Sequence, residues 1–191
     1  MGWLGLCLVF VGITLFGNGL GAKIGLDRKS TAYMNILTCA LLVIGNLIQL
    51  ARTQPGDTFA YNNIAAGLLF GFTYAFLAAN HLWGLDLRAF GIYSLFASVF
   101  ALVNAFMSFT AIKGVTAGAA GGPGLANLFH NGNFAMGVLW LLWSLLWLEG
   151  FAELLAGHSR IGRYFPALSM FEGVVATFIP GMLMLWGAWP M

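Results

Sequence analysis

Apolar runs of about twenty residues recur from one end of this 191-residue chain to the other, separated by short polar or glycine-rich breaks. At 1.5 Å of rise per residue, a run of that length matches the roughly 30 Å hydrocarbon core of a bilayer. Inside that core no water reaches the backbone. A spanning segment must therefore satisfy its own N–H and C=O groups, as a helix or within a closed barrel. Runs such as "TCALLVIGNLIQL" (38–50) and "VLWLLWSLLWL" (138–148) are continuous rather than alternating, which selects helices over a barrel. Composition agrees: 7% of residues are charged and 60% hydrophobic, against about a quarter charged in a soluble domain.

The breaks "LDRKS", "RTQPGD", "GLDLR", "GVTAGAAGGPG" and "GHSRIGRYFP" divide the chain into six helices, at about 3–21, 32–51, 62–82, 88–111, 133–156 and 167–188. The expected fold is an all-α integral membrane protein forming a single six-helix domain over residues 1–191. Residues 114–124 read as a loop by composition. No lysine or arginine precedes Lys23, so the first helix reads as a retained anchor rather than a cleaved signal. Lys23, Arg28, Lys29, Arg88, Arg160 and Arg163 lie in the first, third and fifth loops, whereas the second and fourth hold only Arg52 and Lys113. By the positive-inside rule the odd loops are cytoplasmic and both termini face outside. Three helices followed by three also permit an inverted repeat with a site at the midplane.

Several function classes are excluded. The net charge of +2 is small and gives no indication of a nucleic-acid partner. No HExxH, GxSxG or Walker loop is present. "GNGLGA" (17–22) ends a membrane helix rather than following a strand, so it is no dinucleotide motif. Cys7 and Cys39 lie inside apolar runs and read as small buried hydrophobes. His81, His130 and His158 are scattered near span ends, where a lone histidine is solvated more often than ligating. No enzyme, metal or cofactor is expected.

What remains is a set of polar and aromatic groups in unexpected places. A carboxylate at the centre of a span costs about 2.5–3.5 kcal/mol on insertion scales, yet Glu172 lies about two turns into the sixth helix. Either it lines a solute path or it pairs with a base or hydroxyl of another helix. Glu149 and Glu153 share another face, near the end of the fifth helix. Glu153 is placed to snorkel, and a partner for Glu149 is not readable. At about 100° per residue, Trp140, Trp143, Trp147 and Phe151 fall within an arc of about 80°, opposite those two glutamates. Interfacial tryptophan belts sit at helix ends, whereas Trp143 and Trp147 are near mid-span. Asn63, Phe70, Tyr74, Leu77 and His81 share one face of the third helix, and Leu4, Leu8, Val11, Leu15 and Asn18 one face of the first. A buried Tyr74 hydroxyl needs a partner: water, a solute or a neighbouring carbonyl.

The stretches "GNGLGAKIGLDRKSTAYMN" (17–35), "GLLFGFTYAFLAANHLWGLDLRAFGIYSLF" (67–96), "WLLWSLLWLEGFAEL" (140–154) and "FEGVVATFIPGMLML" (171–185) resemble the UreI/AmiS family of urea and amide channels. The resemblance runs through all six spans in order. It implies a six-helix channel of the bacterial inner membrane, built as an inverted three-plus-three repeat and assembled as a homohexamer. Such a channel passes urea or short-chain amides and is linked functionally to a urease or amidase. The resemblance also implies two pore constrictions. Phe70, Tyr74, Trp143, Leu146 and Trp147 would be their counterparts, Leu8, Val11 and Leu15 would complete the walls, and Glu172 would be the buried carboxylate. Trp140 stands above Trp143 on the same stripe. Acid-gated relatives carry outer loops rich in histidine and carboxylates. Here the second loop holds only Asp57 and the fourth only His130, so a channel open regardless of external pH is expected. Two other readings fit the residues: a proton-coupled small-amide transporter using Glu172 or Glu149, and a non-conducting interaction or sensor protein whose aromatics only pack helices.

Overall fold

A computed structural model of the chain describes residues 2–111 and 131–190. Six spans lie within them, and the regular structure described is helical throughout. Five are continuous helices: α1 Gly2–Ile24, α2 Arg28–Leu50, α3 Thr58–Trp83, α4 Arg88–Thr110 and α5 Gly132–Leu154. A short α6, Ser159–Gly162, precedes the sixth span, which is composite: α7 Phe165–Phe171, a π-helical segment Glu172–Phe178, and α8 Ile179–Leu185. The loop expected at 114–124, with Lys113 and His130, lies outside the described residues.

Two helices begin earlier than hydropathy suggests, and the reason is local chemistry. Asp27 accepts from the Ser30 amide at 3.0 Å and Asp57 from the Ala60 amide at 2.9 Å. Each closes an N-terminal turn whose donors would otherwise have no intrahelical partner. α2 and α3 therefore start at 28 and 58 rather than 32 and 62. α3 stops at Gly84, left-handed at φ 63°, whose N–H bonds Asn80 O at 2.8 Å.

α1 is the packing centre. It contacts α2 on one side and the full length of the sixth span on the other, while α2 pairs with α3 and α4 with α5. Against the sixth span α1 presents Gly5, Gly12 and Gly19. A Cβ built on Gly5 would stand 2.8 Å from Gly181 O, and one on Gly19 would stand 2.6 Å from Pro166 O. Close backbone approach through small residues is how membrane helices gain packing where lipid supplies no hydrophobic drive. The other contacts carry polar pairs. Thr14 and Thr38 hydroxyls meet at 2.7 Å, Asn18 and Asn35 exchange bonds of 3.0 and 2.8 Å, and Ser98 meets Ser144 at 3.0 Å. Such pairs contribute on the order of 0.6–2 kcal/mol each in a bilayer.

The sixth span departs from the single regular helix expected at 167–188. In the π segment Thr177 Oγ1 lies 2.9 Å from Glu172 O and 2.6 Å from Gly173 O, so its single proton is shared between the two carbonyls. Carbonyls displaced from the regular ladder are thus satisfied internally, as a bilayer requires.

Candidate functional site

Phe70 on α3 is the hub of an aromatic cluster. Its ring centroid lies 4.8 Å from Trp147, 5.0 Å from Trp143 and 6.5 Å from Trp140. Trp140 and Trp143 meet edge to face at 4.9 Å and 85°, and Phe100 of α4 closes on Trp140 at 6.2 Å. These offset and edge-on geometries suit the ring quadrupoles, each pair contributing about 0.5–1.5 kcal/mol beyond area burial. The tryptophan stripe reaches Phe70 because residues three and four apart share a helix face, and the α3 stripe runs beside it.

Leu8 of α1 packs into the same cluster with Ala176 and Met184, from the sixth span. Val11 packs with Tyr74, Leu42 and Cys7, and Phe70 borders both groups. Leu15 is buried one turn further along α1. Leu146 is half-buried and outside the aromatic cluster, whereas Leu142, one turn earlier, packs against it. Of the two cysteines, Cys7 is buried, Cys39 half-buried, and both are free.

The polar groups of the site divide sharply. Tyr74, only 2% exposed, donates its hydroxyl to Val11 O at 3.3 Å, so a neighbouring carbonyl is the partner. The Trp147 indole N–H donates to Thr73 Oγ1 at 3.1 Å. The Trp143 N–H, by contrast, is buried with no partner among the described residues. Glu172, with no exposed surface at all, has neither a base nor a hydroxyl on its carboxyl oxygens among the described residues. Of the two readings open for Glu172, the paired one therefore finds no support here. Glu149 is likewise buried and unpartnered among the described residues, and the Glu153 carboxyl rests against Gly162.

Sequence reading missed three participants. Thr73 and Phe100 carry no signal beyond their place in apolar spans, and Ala176 is too small to register in a periodicity argument. His81 also differs from expectation: it is half-buried, its Nδ1 3.0 Å from Thr31 Oγ1, tying the end of α3 to the start of α2. At the same end of the fold, Arg88 binds Asp86 at 2.6 Å and draws that exposed carboxyl down to about 2. The Ser30 amide and hydroxyl lower Asp27 too.

Among the described residues no three histidine, cysteine, aspartate or glutamate side chains gather as metal ligands. The site is a wall of flat rings in which the Trp143 and Trp189 indole N–H groups have no partner among the described residues, with the Glu172 carboxyl buried and likewise unpartnered. That set suits a flat, neutral, dipolar molecule with both donors and acceptors.

Comparison with known proteins agrees with that chemistry. The model of the AmiS/UreI family transporters matches residues 3–188. The acid-activated urea channel of Helicobacter pylori is 31% identical, covering 97% of this chain and 99% of the channel. A putative amidate substrates transporter protein of Mycolicibacterium smegmatis is 30% identical over 97% of this chain and 78% of its own length. In structure, the crystallised Helicobacter pylori urea channel superposes with a TM-score of 0.81 at 33% identity, covering 97% of this chain and 99% of that one. The cryoEM structure of the same channel in its closed state gives 0.80 at 32%.

Proposed function

This chain belongs to the AmiS/UreI family of transporters, and from that premise we propose that it is a passive channel for urea, short-chain aliphatic amides or both. It is a multi-pass protein of the bacterial inner membrane, and its relatives are channels and transporters rather than enzymes.

The observation that carries the reading is the Phe70-centred ring cluster that includes Trp143, whose N–H has no partner among the described residues; the Glu172 carboxyl, buried and equally unpartnered, supports it. Leu8, Val11 and Leu15, with Phe70, Tyr74, Trp140, Trp143, Leu146 and Trp147, are the wall. Planar rings select flat solutes by shape. The Trp143 N–H would donate to the solute carbonyl oxygen, and Glu172 would accept from its amide nitrogen. Hydrated ions would shed water with no compensating ring of charge, so desolvation excludes them.

Cytoplasmic odd loops, outward termini, a homohexameric assembly, an inverted repeat and a metabolic link to a urease or amidase complete the proposal. In contrast to the relative named as acid-activated, this channel conducts without an acid trigger. Asp57, the acidic residue of the second loop, is engaged as the α3 cap.

The test is stopped-flow permeability of proteoliposomes to urea, acetamide and water at pH 7.5 and 5. Solute-selective flux without an imposed proton gradient supports the channel. Glu149 and Glu172, buried without partners among the described residues, favour one second reading, a proton-coupled transporter. Uphill accumulation dependent on a proton gradient would establish it instead. Absence of any amide flux would leave a non-conducting protein.

A further inference from the structure

The two central indoles differ in a way that assigns them different tasks. Thr73 Oγ1 carries one proton and donates it to Leu69 O at 3.0 Å, leaving its lone pairs to accept the Trp147 N–H at 3.1 Å. Tyr93 of α4 donates its hydroxyl to the same Leu69 carbonyl. The chain Trp147, Thr73, Leu69, Tyr93 therefore links α5, α3 and α4 through consecutive hydrogen bonds. Both hydroxyls converge on the Leu69 carbonyl, within the continuous helix α3. Trp143 has no such anchor among the described residues.

We propose that Thr73 is a positioning residue for solute selection: it fixes the rotation of the Trp147 indole and withholds its N–H from the permeating molecule. Trp147 then presents a ring plane that discriminates by shape, while Trp143 keeps its indole N–H free to donate. This rests on the reading of Trp147 as pore wall. Thr73 is half-buried and its methyl supplies volume, so the claim concerns the hydroxyl, not the space it fills. Without the acceptor, the Trp147 ring gains a torsional degree of freedom and an N–H that water can bridge. Discrimination between urea and water falls as a result.

Thr73→Val keeps the shape and removes the acceptor, and Thr73→Ser restores it. Thr73→Ala replaces the valine variant if that one does not reach the membrane folded. Two quantities are read in the full-length protein. One is the ratio of urea to water permeability in proteoliposomes. The other is the indole Nε1–H resonance of Trp147 in nanodiscs, assigned by its loss in Trp147→Phe. Thr73→Val should move that resonance upfield and lower the permeability ratio by about threefold to tenfold, the scale of one neutral hydrogen bond. Thr73→Ser should return both toward the parent. An unmoved resonance overturns the proposal, as does a moved resonance with an unchanged ratio. Trp147→Phe separates the two claims. If it leaves both permeabilities unchanged, Trp147 is not pore wall and the underlying reading falls. If it alters them while Thr73→Val does not, only the role of Thr73 falls.

Discussion

Gly12 on α1 and Gly173 in the π segment face each other so closely that a Cβ on either would stand 2.7 Å from a backbone nitrogen of the other helix, that of Phe178 or of Phe16. The register of this antiparallel seam explains why the sixth span is not a regular helix. Seven residues separate Gly5 from Gly12, whereas eight separate their partners Gly181 and Gly173. An α-helix closes each turn with i→i+4 bonds and a π-helix with i→i+5, so a π segment absorbs one extra residue without shifting the glycines out of contact. Glu172 begins that segment, which couples its placement to the α1 seam.

Gly12→Ala and Gly173→Ala should each destabilise the protein by about 1–3 kcal/mol, the usual range for overpacking where backbone must move. Gly17→Ala is the control, since its new methyl meets only the far end of the Met34 side chain. Thermal unfolding in detergent checks this. Equal midpoints for the Gly12 and Gly17 variants would contradict the seam.

Phe70→Ala removes the ring shared by three tryptophans and should widen the wall. Water flux is expected to rise and the urea-to-water ratio to fall by about fivefold or more, since selection by shape depends on the constriction's width. An unchanged ratio in proteoliposomes would place Phe70 in packing alone.

Glu172→Gln keeps a side-chain acceptor at nearly constant volume, whereas Glu172→Leu removes it. Urea permeability should stay within about threefold of the parent in the first variant and drop about tenfold in the second, the scale of a hydrogen bond to a charged or strongly polar group. Equal flux through both, normalised to protein content, would remove Glu172 from the solute path.

Conduction should change less than tenfold between external pH 7.5 and 5, the range in which a histidine cluster would titrate. A larger rise in vesicle uptake at pH 5 would show an acid trigger that the second loop does not supply.

Stability should likewise be flat over that interval so far as Asp27 and Asp86 are concerned. Both carboxyls are held below their ordinary value by hydrogen bonds, Asp86 at about 2. A depressed folded-state value stabilises fully above the unfolded-state value, near 4, and is lost as pH falls through the folded one. Asp86→Asn should therefore match the parent's melting temperature near pH 2 and lie below it above pH 4. A difference that grew on acidification would reverse the sign.

Much of the fold was legible because its signals are local. Six apolar runs define six spans, and helical periodicity alone put Trp140, Trp143 and Trp147 on one face with Glu149 opposite. The caps at Asp27 and Asp57 sharpen two boundaries by the same short-range logic. The aromatic stripes of α3 and α5 were visible one helix at a time, and so was the oddity of Glu172 in a span.

Which stripe meets which was decided elsewhere. Phe70 seats among the three tryptophans, Tyr74 bonds Val11 across 63 positions, and Trp147 bonds Thr73 across 74. These are pairings between helices, and no local pattern encodes them. The same holds for Leu142 rather than Leu146 against the cluster, for His81 on Thr31, and for the π segment. Sequence determined the spans and their faces, because a bilayer demands apolar length and a helix repeats every 3.6 residues. The tertiary structure decided that the Trp147 N–H is anchored while the Trp143 N–H is not, and where Glu172 lies. Both depend on close approach between backbones and side chains far apart in the chain.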